Sequence, residues 1–134
     1  MMLEAFCDAL ATRIDAGLSD VEVVYPMPTA NVQSHSVTVS PAPEWGNWGE
    51  GSSFCDPEVS FELILVASSS DFRSSMRWFM ARLDELRVVF DDDPYVDGTC
   101  DGVSVAGWGQ PSLVSTGSGD ALAVRVRLNP VVVY

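Results

Sequence analysis

Between Glu58 and Val66 apolar side chains fall on every second residue, and from Asp71 onward they return every third or fourth. A chain with both periods, each long enough to define a face, has to lay a helix on a sheet. Val59, Phe61, Leu63 and Leu65 share one face of the strand. The other face, Glu58, Ser60, Glu62, Ile64 and Val66, turns from polar to apolar midway, so that end is expected to be covered on both sides. In the helical segment Phe72, Met76, Phe79, Met80, Leu83, Leu86 and Phe90 form a wide apolar stripe, with Arg73, Arg77, Arg82, Asp84, Glu85 and Arg87 over the rest. Residues 68–71 offer N-caps, and Pro94 closes the helix. Asp91, Asp92 and Asp93 are assigned to the loop, because acids at a helix C-terminus oppose the macrodipole.

The remaining elements are shorter. Leu3, Phe6, Cys7, Leu10 and Ile14 predict an amphipathic helix over 3–16, stopped by Gly17. Residues 21–25 and 36–40 read as two strands able to pair, ended by Pro26 and Pro28 and by Pro41 and Pro43. Residues 102–106 make a short strand, broken by the glycines and proline of 107–111. In the closing strand, 121–128, Leu122, Val124, Val126 and Leu128 take one face and Ala121, Ala123, Arg125 and Arg127 the other. The predicted fold is α+β: a single mixed or antiparallel sheet of about five strands, packed by an N-terminal helix and one long central helix, in the order α-β-β-β-α-β-β. A length of 134 residues suits one domain, 1–134, with no repeat or linker. Its oddest feature is a long Gly/Pro/Trp loop at 41–56.

Charge narrows the function. The chain carries 19 acids against 7 bases, all of them arginine, for a net charge of −12. That balance excludes phosphate neutralisation as a mode of nucleic-acid binding and excludes attraction to an anionic membrane. No apolar run is long enough for a transmembrane helix, and the N-terminus lacks a signal peptide's basic start, so a cytoplasmic site of folding is expected. Cys7, Cys55 and Cys100 form no C-x-x-C, and His35 is the one histidine, so neither a zinc site nor a nucleophile–base pair is expected. The acids at 91–93, 97 and 101 lack the spacing of a calcium loop. No catalytic set, cofactor motif or metal site is predicted, and the expected role is structural rather than enzymatic.

Two features suggest contact with other proteins. Trp45, Trp48 and Phe54 sit in the Gly/Pro loop and either form a contact patch or tuck onto the domain's own sheet. Arg125 and Arg127 share a strand face with only small residues, so that face is no deep apolar core. They are expected to meet carboxylates, within the chain or on a neighbour.

The order of elements and their local texture resemble the tail terminator family of long-tailed, non-contractile bacteriophages. The likeness rests on the helix at 3–10, the strand end Val24-Tyr25-Pro26, and the strand 58–66 running through serines into Asp71 and the helix 76–86. It rests also on the closing strand 121–128. It spans nearly the whole chain, and the Trp-bearing loop lies outside the matched pattern. The resemblance implies a ring, typically a hexamer, on the head-proximal end of the virion's tail. Such a ring stops polymerisation of the tail tube and joins it to the head, while DNA passes through without specific binding. Its implied partners are other copies of itself, the major tail tube protein, the head-tail connector or stopper, and the tape measure protein. The interface residues expected from the loop and from the arginine-bearing strand face, rather than from the resemblance, are Trp45, Trp48, Phe54, Arg125 and Arg127. Another neck component, such as a stopper or minor capsid protein, shares the same features. An acidic DNA mimic that inhibits a nucleic-acid-binding protein is the alternative from a different class.

Overall fold

Phe6, Leu10 and Ile14 repeat at helical spacing, and helix α1 (Met2–Gly17) forms around them with all three fully buried. The computed structural model describes residues 2–47, 56–68, 71–116 and 119–134. After α1 come β1 (Val23–Tyr25), β2 (Ser36–Asn47), β3 (Glu58–Ser68), α2 (Phe72–Asp92), β4 (Val105–Trp108), β5 (Ser112–Thr116), β6 (Gly119–Leu128) and β7 (Val131–Val132). The fold is α+β, with an N-terminal helix and one long central helix packed on a mixed sheet, as its sequence pattern predicts.

The sheet runs β1-β2-β3-β6-β4, with β5 also on β6 and β7 also on β3. The seven strands therefore occupy five lanes. β4 and β5 lie end to end along one side of β6, and β7 continues the β6 lane along the start of β3. β1 and β2 pair in parallel, Val23 beside Ser36 and Tyr25 beside Thr38, and every other pairing is antiparallel.

Both helices cover one face. Val37, Val39, Phe61, Leu63, Leu65, Val124 and Val126 meet Phe6, Leu10 and Ile14 of α1 and Phe79, Leu86 and Phe90 of α2. Phe6 and Phe61 touch with ring centroids 5.6 Å apart. Burying each such side chain contributes about 1.5–3 kcal/mol. On the opposite face Val66, Ala121 and Ala123 form a small second cluster with Val32, Ile64 and Val114. The apolar end of β3 is thus covered on both sides, as its alternation predicts.

The structure revises several boundaries. Residues 41–47 are not loop: β2 runs on to Asn47, with a register shift between Pro41 and Gly46. Pairing with β1 ends at Thr38, so beyond it one side of β2 has no strand partner among the described residues, and a residue without an N–H is tolerated there. β4 likewise continues through Gly107 to Trp108. Helix α2 includes Asp91 and Asp92, with Asp93 as its C-cap. Arg13 of α1 supplies the compensating cation there, its Nε donating to Asp93 Oδ2 at 3.0 Å. The α2 stripe is rotated from the expected one. Phe72 at the first turn is exposed, while Trp78 and Arg82 are buried toward α1. Arg82 is satisfied there by Glu85 and by Trp78, whose ring centroid is 5.5 Å from the guanidinium carbon.

Candidate assembly surfaces

Trp45 lies beside the β2 irregularity. It sets its ring edge-on to Phe61, centroids 6.3 Å apart, and remains 47% exposed. It therefore does both things its sequence context left open, resting on its own sheet and presenting part of an aromatic face. Trp48 and Phe54 lie outside the described residues.

Arg125 and Arg127 stand on the opposite, helix-free face, so the structure does not gather Trp45 and the arginines into one patch. Register places Glu62 across from Arg127, yet Glu62 pairs diagonally with Arg125. The carboxylate is nearly buried and the guanidinium is largely exposed. Of the two readings of this pair, Arg125 takes the intrachain one. Arg127 is exposed and lays its Nη2 3.0 Å from where a Cβ on Gly107 would stand. Beside Glu62, Thr38 is buried at 4% exposure, and its Oγ1 has no hydrogen-bond partner.

Three features escape a reading of the sequence. The first is a groove of about 1100 Å³ between α2 and β4, lined by Met76, Met80, Leu83, Arg87, Val105 and Trp108 among others. Met80 is 58% and Trp108 56% exposed. The helix layer covers the sheet from β1 to β6 and leaves the β4 side open. The signal was present in the α2 stripe, which is too wide for one line of contact. The second feature is Met27, 53% exposed between Pro26 and Pro28 just past β1. The third is His35, a half-exposed residue in the bend before β2. It stacks on Trp78, centroids 4.9 Å apart, at a backbone φ of 56°. Trp78 Nε1 donates to Asp20 O at 2.9 Å. Below it, burial pushes the Glu85 carboxyl up, but hydrogen bonds from Ser19 and Arg82 outweigh this and hold it below the ordinary range.

The two described thiols, Cys7 and Cys100, are quiet, and Cys55 lies outside the described residues. Burial, with Asp8 and Glu4 nearby, pushes Cys7 up to about 11. Burial raises Cys100 as well. Neither is a thiolate at neutral pH. Among the described residues no three His, Cys, Asp or Glu side chains gather to hold a metal, and no helix is long and apolar enough to cross a membrane. What the arrangement offers is surface: two unlike sheet edges, an apolar groove, and a polar sheet face. No protein-family model matches the chain, and no curated protein matches it.

Proposed function

We propose that this chain is a tail terminator of a long-tailed, non-contractile phage, a structural protein whose copies close into a ring on the head-proximal end of the tail. The ring, a hexamer in this reading, ends polymerisation of the tube. It offers its far side to the head connector, and the tape measure protein ends beneath it. Assembly takes place in the host cytoplasm, and the ring stays in the virion.

The observation that carries this reading is the pair of unlike edges left open among the described residues, β1 at one end of the sheet and the β4–β5 lane at the other. Unpaired strand edges must be covered or used. Two different complementary surfaces on one chain are what a closed ring requires, since a ring is built from heterologous contacts. The net charge of −12 supports the same reading. A lumen lined by acids repels the phosphate backbone and lets DNA slide.

The test is an infection in which this chain is not made. Overlong tubes and free, unjoined heads are expected by electron microscopy. Tails of normal length joined to heads overturn the proposal.

A further inference from the structure

We propose that the seam between neighbouring copies is formed by the Met27 turn of one copy seated in the α2–β4 groove of the next. This rests on the ring reading above and gives it a specific contact. The groove lies at one end of the sheet, flanked by the free edge of β4. Met27 lies at the other end, two residues past the free edge strand β1. Pro26 and Pro28 fix the backbone on either side of it, so little conformational freedom is lost when it is bound. The receiving groove is rich in methionine, with Met76 and Met80 beside Leu83 and Trp108, and such side chains fit themselves to an entering apolar knob.

Charge agrees with this pairing. Around Pro26, between α1 and β1, stand Asp8, Asp15 and Glu22. On the groove side Arg87 lines the wall between Asp84 and Asp91, and Arg73 and Arg77 are exposed on the same helix. Arg87 pairs with Asp91 at 3.9 Å, and both side chains are more than three-quarters exposed, so this contact is weak and easily exchanged. Arg73, Arg77 and Arg87 are the cations that an acidic flank can meet on this helix. Strand direction agrees too. β1 and β2 run together, and β2, β3, β6 and β4 alternate, so β1 and β4 point in opposite directions. Copies placed side by side in the same orientation bring them together as an antiparallel pair.

The test uses the full chain at millimolar concentration, read by native mass spectrometry and negative-stain microscopy. Met27→Glu spoils the knob and leaves the groove intact; Met80→Glu does the reverse. Both positions are exposed, and circular dichroism and Tm confirm that each variant is folded. The wild type is expected to form closed rings, and each variant alone to remain monomeric. Mixed in equal amounts, the two variants have one good knob and one good groove between them. They are expected to give a 1:1 dimer and nothing larger. Val88→Glu, on the exposed side of α2 away from the groove, should assemble like the wild type. Rings that survive either groove or knob substitution overturn the seam and leave the ring reading standing. A mixture that yields no dimer shows that knob and groove do not meet, and overturns it as well. A wild type that stays monomeric overturns the seam as a sufficient contact, while the ring reading is judged separately by the infection experiment.

Discussion

Thr38 carries a hydroxyl into the sheet and gives it nothing to bond. Its neighbours in register are Tyr25 and Ile64, and its Oγ1 is buried without a partner. A hydroxyl desolvated in this way costs free energy that an isosteric methyl does not. Thr38→Val is therefore expected to stabilise the fold by about 1 kcal/mol and to raise Tm. A lower Tm would show that the hydroxyl is served by solvent. Glu62, one strand away, is the opposite case, a buried acid that the sheet satisfies with Arg125. The face carrying Arg125 and Arg127 was legible because alternation along β6 leaves no other place for them. Their separation from Trp45 was not legible, since the β2 irregularity decides which face Trp45 joins, and only pairing with β3 reveals it.

At the scale of elements, the two helices are joined through close contacts. Gly17 ends α1 against α2, and a Cβ there would stand 2.2 Å from Val89 Cγ2. Gly17→Ala is expected to cost about 1–3 kcal/mol in urea unfolding, because Val89 is buried and β-branched and has little room to turn. Unchanged stability would mean that the end of α1 shifts freely. Nearby, the backbone N–H of Asp97 and then the Arg13 guanidinium hold Asp93 below its ordinary value of 3.8. A lowered folded value means that the contribution is present above 3.8 and is lost as pH falls through the folded value. Asp93→Asn lacks that charge at every pH, so its stability should fall less steeply on the acid side than that of the wild type. Parallel acid limbs would count against the clamp. The β3 alternation was readable because it is imposed by the layers on either side. The α2 stripe was readable only in its middle, at Phe79, Leu86 and Phe90, because α1 and the segment after it draw Trp78 and Arg82 inward and leave Phe72 and Met80 exposed. Pro41 and Pro43 read as stops because sequence does not show that β1 covers only the start of β2. β5 and β7 are short, and Leu113 in β5 is exposed, so no periodic pattern marks them.

For the molecule as a whole, net charge decides how it meets DNA. Arg13, Arg82, Arg87 and Arg125 each stand beside a carboxylate, which leaves no concentrated basic patch among them. No gel shift of duplex DNA is expected at physiological salt and micromolar protein, and a shift that weakens as salt rises would overturn the charge argument. The order of the lanes has a consequence for synthesis. β6 lies between β3 and the β4–β5 lane, yet it follows nearly everything else in the chain. On the ribosome, β3 emerges early and shows one side of its backbone, with Leu63 and Leu65, until Leu128 has left the tunnel. At about 5–20 residues per second that interval lasts several seconds, long compared with the time a hairpin takes to form. During it, the β6 of another nascent chain on the same message is as good a partner as the chain's own. The yield of native subunit is therefore expected to respond to translation speed and the spacing of ribosomes as well as to the stability of the finished fold.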